Sequence, residues 1–348
     1  MDFKFQKLWL CIIATLVAGI MPAQSFSDSS SCDSYKCSCD NDPTPAGVMI
    51  SHVHLKKEWM VSYRYMGMRM QGLNNGEQTD NEGNALQNYS ASPDFMQMNM
   101  HMIMAMYGVA DRLTLMGMLN YSTAYMKMTM QGGARHHHGM NSSGLGDTKL
   151  YALYALFKNK TTQMLVSGGI SLPSGSITKR GDTGSMMYPG QRLPYSMQNG
   201  SGTYDLLPGL NLLHQHNAMY YCVQASSIIR TTTNTLDYKL GNEFNLNAWY
   251  AWQWAPSISN SVRLEGNLAG RLHGNDSSLD PYSELSANTA NYGGKRILVH
   301  FGISVQTKNG CLKRSRFSLE YGMPVYQDLN GLQSTLKNSL YFTWAQKF

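Results

Sequence analysis

Charge is scarce in this chain. Only 14% of its 348 residues are Asp, Glu, Lys or Arg, too few for the solvated surface of an ordinary soluble α/β enzyme or for a disordered chain. Long apolar runs are missing beyond the first residues. No later stretch reaches the roughly 18 to 20 residues that a membrane helix needs, which excludes spanning helices. Catalytic signatures are lacking too: there is no Gly-x-Ser-x-Gly, no His-Glu-x-x-His and no phosphate loop. Gly144-Leu145-Gly146-Asp147 is followed by no helical pattern, so it is not a dinucleotide fingerprint, and an enzyme is not expected. The 28 basic and 22 acidic residues are scattered, and no nucleic-acid partner is expected.

What the chain does have is glycine (32), tyrosine (21) and alternation. Its start reads as an export signal: Lys4 and Lys7, an apolar core from Leu8 to Ile20, then small residues at Ala23 and Ser25. Residues 1–27 are expected to be removed, and 28–57 to form a periplasmic leader bearing Cys and His. Residues 58–348 then break into segments with period-two alternation, at about 58–71, 96–107, 112–130, 145–157, 162–172, 203–213, 218–230, 243–254, 258–272, 295–307, 314–325 and 336–348. Short connections such as 108–111 and 255–257 alternate with long ones such as 72–95, 173–202 and 273–294. A membrane meander requires that pattern. In the eleventh segment Phe317, Leu319, Tyr321, Met323 and Val325 oppose Arg316, Ser318 and Glu320. Leu340, Phe342, Trp344 and Phe348 alternate into a terminal aromatic, which resembles the strand signature read by the outer-membrane assembly machinery.

The expected fold is all-β, an antiparallel transmembrane β-barrel of about twelve strands with short periplasmic turns and long extracellular loops. Its expected place is the outer membrane of a Gram-negative bacterium, with outer-membrane lipid and the assembly machinery as partners. The polar faces put Arg64, Arg263, Glu265, Arg296, His300, Arg316 and Glu320 on the lumen side, as the lining of a narrow wet path.

Methionine is the unusual component: 16 of 25 lie between Met60 and Met140. Met66, Met68 and Met70 share a face with Ser62 and Arg64, and Met116, Met118, Met126, Met128 and Met130 share one with Asn120 and Ser122, so both rows are expected to point inward. The row from Met96 to Met106 opposes Gln97, Asn99 and His101. Polarity alone turns it toward lipid, and register decides the matter. Thioethers one pleat apart are soft, neutral ligands that suit Cu(I) or Ag(I) and not Zn(II), Mg(II) or Ca(II). Against this stands methionine as a flexible apolar filler. Further candidate ligands are His136, His137 and His138 in a long loop, His52 and His54 before the first strand, and Cys37 and Cys39 in the leader. His214 and His216 are placed in a periplasmic turn. For the histidine run a solvated loop is the plainer reading. For the cysteines, disulfide bonding in an oxidising compartment is the alternative. No cofactor is required, and copper ions are the candidate ligand.

Several stretches resemble a known family. They are Pro45 to Met49 with His52, His54, Glu58-Trp59-Met60 and Ser62 to Met66, then Asp111 to Met116, Ser143 to Asp147, Leu193 to Met197, Gly200 to Asp205, and Glu320 to Asp328. Together they are similar to the transporter-like barrels of the meta-pathway of phenol degradation family, in a methionine-rich form associated with copper. The resemblance implies an outer-membrane barrel passing small, aromatic or hydrophobic solutes, and it supplies no catalytic residues. The expectation is passive passage of a small solute, with methionine rows for soft-metal binding or transit. The competing expectations are an uptake channel for small organic compounds and a non-conducting copper-binding barrel.

Overall fold

The computed structural model describes residues 42–131, 137–183, 190–308 and 312–348. The expected signal segment, the first part of the leader with Cys32, Cys37 and Cys39, His136, the side chain of His137, and Cys311 lie outside the described residues. The main strands are β1 (Trp59–Gly76), β2 (Ala91–Ala110), β3 (Leu113–Met130), β4 (His137–Leu145), β5 (Thr148–Lys158), β6 (Thr162–Leu172), β7 (Gly209–His216), β8 (Met219–Arg230), β9 (Glu243–Ala255), β10 (Ile258–Ala269), β11 (Gly294–Gln306) and β12 (Ser315–Lys347). They pair antiparallel around a ring, and β12 closes it on β1, with Met60 opposite Lys347. A membrane demands closure, because hydrocarbon offers no partner to an unpaired strand edge.

Two departures from one strand per wall cancel in the count. β4 and β5 pair with successive parts of β3 and form one wall, interrupted at Gly146-Asp147. β12 supplies two walls: its first part pairs with β11 and its last part with β1. It folds back at Gly331, whose φ of +67° suits glycine, and Lys347 N–H donates to the Arg314 carbonyl across the arms. The ring therefore has twelve walls, the number expected. Residues 326–335, expected as a connection, instead continue the strands beyond the membrane. The expected loop 72–95 is shortened in the same way by the ends of β1 and β2, with a short strand (Gln78–Asp80) and a helix (Glu82–Asn88) between them. β7 runs on to His216, so His214 and His216 end a strand and the turn is at Asn217.

The outer face carries the exposed apolar side chains, among them Leu115, Val166, Val223, Leu246, Val262, Phe301 and Leu319. Trp59 stacks on Tyr107 at the short-turn end, with ring centroids 4.5 Å apart, where a membrane girdle belongs. The row from Met96 to Met106, whose face polarity alone could not fix, points to the lumen. Ile103 is 58% exposed, while Met102 and Met104 on either side of it are 5% exposed. The cause is register: β2 is clamped between β1 and β3 with Met102 opposite both Arg64 and Asn120. A strand in a closed ring shares the parity of its neighbours whatever its own composition. Gln97, Asn99 and His101 are left outside, where Asn99 accepts a hydrogen bond from Tyr65 Oη (2.8 Å) and His101 Nδ1 lies 2.7 Å from Tyr63 Oη. These polar residues occupy the long-loop side of the strands, so the apolar belt is lower over β1–β3 than over β9–β12.

Val262→Arg, in the middle of the belt, is expected to lower stability by about 2–4 kcal/mol, and Asn99→Arg by less than about 1 kcal/mol. Equilibrium unfolding from lipid vesicles checks both, and equal costs would remove the lowered belt.

Candidate functional site

Inside the ring the two sides differ in chemistry. On β1–β4 the cross-strand pairs form thioether rungs. From the short-turn end upward they are Met60–Met106–Met116, Met104–Met118, Met66–Met100, Met68–Met98 and Met70–Met96–Met126–Met140. Met128 and Met130 continue the series toward the loops, packed with Met140, Leu193 and Met197. The methionine residues expected to face inward, and the row that was not, therefore form one surface from mouth to mouth.

On the far side the lining is ionic. Arg263 donates from Nε to Glu320 Oε1 (2.7 Å) and from Nη1 to Glu265 Oε2 (2.5 Å) and Asn247 Oδ1 (2.7 Å). His300 Nε2 lies 3.0 Å from Glu265, and the Arg263 guanidinium lies over the Tyr341 ring at 5.5 Å. Arg64 is buried in the same interior, and Arg296 and Arg316 face it higher and lower on their strands. All seven polar residues singled out from the sequence thus face the lumen.

Between the two sides sits a segment that sequence reasoning had left outside the barrel. Residues 42–57, expected as the end of a periplasmic leader, rise into the lumen and return. At the bottom Asp42 pairs with Arg316 (2.7 Å) and with His52 (3.1 Å). At the top, a turn closed by Val48 N–H on the Pro45 carbonyl brings Gly47 N–H to Glu320 Oε2 (2.5 Å), and Arg64 donates to the Val48 carbonyl (2.7 Å). The descending half is tied by Gln224 to the Met49 carbonyl and by Asn211 to the Ser51 carbonyl. It ends at the short-turn side, where Lys57 N–H donates to the Gly108 carbonyl. We call this segment the plug. A Cβ at Gly47 would run into Arg263 Nη2 and lie 2.9 Å from Glu320 Oε2, and the hydrogen bonds of Arg263 to Glu320, Glu265 and Asn247 resist its moving aside. Ile50 has φ +61°, a left-handed conformation that a β-branched residue rarely holds and that costs about 1–3 kcal/mol.

The opposite mouth is covered by loops. Leu193 and Met197 pack on the methionine wall, while Tyr195 packs with Tyr238, Leu272, Leu279 and Ala287 in a separate apolar cap. Asp147, from the strand-start motif, holds the long loop down. It accepts from Gly175 N–H (3.0 Å), Ser201 N–H (2.8 Å) and Ser201 Oγ (2.7 Å). The described parts of the loop expected over 173–202 thus fold inward across the opening. A carboxylate inside this cap, Glu284, is pushed up to about 7 by burial.

The other candidate ligands are dispersed. His52 and His54 stack edge to face at 4.8 Å on the plug. Burial, with His52 beside it, pushes the His54 imidazole down to about 3. His138 lies at the loop end, with Nε2 2.9 Å from the Asp182 carbonyl oxygen. Cys222 is free and buried in β8, donating to Asn211 Oδ1 (2.7 Å). No cluster of three or more His, Cys, Asp or Glu suited to a metal exists among the described residues. The plug was missed because its residues show no strand alternation. The available signal was the small, uncharged run Pro45-Ala46-Gly47-Val48 beside two histidines.

No protein-family model matches the chain, and no curated protein does. Among solved structures, the COG4313 outer membrane channel from Pseudomonas putida F1 superposes with a TM-score of 0.57 over 86% of this chain and 97% of that one, at 13% identity. This is the fold of an outer-membrane barrel. The beta domain of the Bordetella autotransporter BrkA (TM-score 0.46, 10% identity, 84% of this chain and 100% of that one) and the NanC porin (0.41, 8%, 81% and 100%) lie further away. At such identities the likeness concerns the fold.

Glu284 gives the cap a pH dependence. In the unfolded chain a glutamate titrates near 4.3, so the folded cap holds its proton more tightly. Its contribution is complete below the ordinary carboxylate range and is lost as pH rises toward 7 and above. Hydrogen-exchange protection of residues 279–292, corrected for intrinsic rates, is expected to fall between pH 5 and 8 and to stay level in Glu284→Gln.

Proposed function

We propose that this chain is a gated outer-membrane channel for a small solute, and that its methionine wall binds and passes a soft metal ion, with Cu(I) the leading cargo. The observation that carries this reading is the column of methionines that puts at least one thioether at every lumen-facing position of β2 from Met96 to Met106, paired at every level but that of Met102. Neutral sulfur ligands one pleat apart let a soft cation step along the wall, and hard divalent ions find no oxygen cage there. The proposed metal surface comprises Met66, Met68, Met70, Met116, Met118, Met126, Met128 and Met130, joined by the Met96–Met106 row. His138 stands at the upper mouth and His52 and His54 at the lower. His136, His137, Cys37 and Cys39 belong to the proposal on sequence grounds alone. Arg64, Arg263, Glu265, Arg296, His300, Arg316 and Glu320 form the proposed polar lining. The last strand is the proposed contact for the assembly machinery. The motifs support membership of the meta-pathway of phenol degradation family in its copper-associated form.

Passage requires movement. Near the lower mouth the cavity lined by His52, His54, Met60 and Arg316 holds only about 30 Å³, and the plug's contacts with Glu320 and Arg64 stand above it. Two other readings each have an observation in their favour. Uptake of small aromatic or hydrophobic compounds is favoured by the apolar cluster of Val53, Met106, Met116, Tyr151, Leu153 and Leu165 at the lower end. A non-conducting copper-binding barrel is favoured by closure at both ends.

Gly47→Val collides with the ionic cluster, so it is expected to unseat the plug and raise single-channel conductance several-fold in planar bilayers. Absence of current from both proteins would leave the non-conducting barrel. Replacing Met66, Met68, Met70, Met116 and Met118 by Leu is expected to weaken Cu(I) affinity at least about tenfold in competition with a chelator. Unchanged affinity would leave organic uptake.

A further inference from the structure

One lumen methionine is not held by the barrel wall. Met49 sits on the plug and packs with Met66, Met100, Met102, Met104 and Met118 at mid-lumen. Its backbone is fixed from both sides there: Gln224 donates to the Met49 and Ile50 carbonyls (2.5 and 3.1 Å), and Arg64 donates to Val48. The wall places Met104 opposite Met118 and, two rungs higher, Met66 opposite Met100, with Met102 between them beside Arg64 and Asn120. A thioether patch drawn from three strands is thus completed by one from the plug.

The plug carries a second group of the same kind. His54 is fully buried, both its ring nitrogens lack a hydrogen-bond partner, and its nearest carboxylate oxygen, on Glu58, is 3.8 Å away. Leaving a buried polar group unpaired costs about 1–3 kcal/mol. A neutral imidazole with an open lone pair is a metal ligand in waiting. His54 lines the same small cavity as Met60, which belongs to the lowest thioether rung.

We propose that a soft monovalent cation, Cu(I) or Ag(I), bridges the plug to the wall at Met49 and the Met66–Met118 cluster, and so fastens the plug shut. His54 with Met60 provides a second bridge nearer the periplasm. This rests on the reading that the methionine wall takes soft metal, and it adds a consequence for gating. A site assembled from both sides exists only while the plug is seated, so binding favours the seated state. By reciprocity, unseating the plug weakens the hold on the ion. The cluster of Met126, Met128, Met140 and Met197 at the other mouth has no ligand on the plug and binds without this effect. The channel therefore closes in response to its own metal load.

Hydrogen–deuterium exchange of the full chain in detergent, in chloride-free nitrate buffer with and without silver(I), tests the proposal. Silver is expected to slow exchange of the amides from Gly47 to His54 about tenfold or more in the wild type. The same slowing is expected in Met128→Leu with Met140→Leu; in Met49→Leu it is lost from Gly47 to Ser51 and persists only at the foot of the plug, where His54 and Met60 hold it. The wall-side pair Met100→Leu with Met102→Leu should lose the response as well, which guards against a packing defect peculiar to position 49. Bound silver, counted by native mass spectrometry, with no change in plug exchange overturns the bridge and leaves the soft-metal wall standing. A full response in Met49→Leu overturns it too. No silver bound by the wild type removes both.

Discussion

The lipid interior cannot satisfy a backbone N–H or C=O, and everything else in this molecule follows from that constraint. It forces the sheet to close, with β12 bent on itself so that the last strand meets the first. Closure ties the side-chain parity of each strand to that of both neighbours. A strand whose own polarity points the other way is overruled, which is how six methionines from Met96 to Met106 come to line the lumen while Gln97, Asn99 and His101 are turned outward.

The plug is held by a sharing arrangement. Glu320 receives the plug through the Gly47 amide and at the same time receives the Arg263 guanidinium. A buried ion pair adds little net stability, but removing one partner costs about 3–5 kcal/mol because the other is left charged and alone. Were the turn at Gly47 to leave Glu320, Arg263 would keep both Glu320 and Glu265, whereas freeing the foot of the plug would also break the Asp42–Arg316 ion pair. Departure of the plug would thus orphan no partner of Arg263, as the proposed gating requires.

The barrel itself was legible in the sequence because alternation is a direct image of lipid on one side and lumen on the other. The strands carrying Phe244 to Trp254 and Ile297 to Val305 could be assigned residue by residue, and the polar lumen residues from Arg64 to Glu320 came with them. The row from Met96 was not legible, since methionine suits either side and only pairing decides. Nor was the plug. Its ties are single contacts across hundreds of residues, such as Gly47 to Glu320, and leave no periodic trace. The cap was hidden for a related reason: Tyr195, Tyr238 and Leu279 meet from three separate loops.

The polar outer surface of β2 bears on how the molecule rides in its bilayer. Above Ile103 that strand turns Asn99 and Gln97 outward, whereas β11 stays apolar outward from Val305 to Ile297. A cylinder whose greasy collar dips on one flank cannot stand upright in a slab of even thickness without wetting aliphatic surface or dehydrating amides. Tilting, or local thinning of the leaflet beside the dip, removes the mismatch. The sulfur-lined flank then lies under the thinnest lipid, and the route proposed along it is the shorter way across.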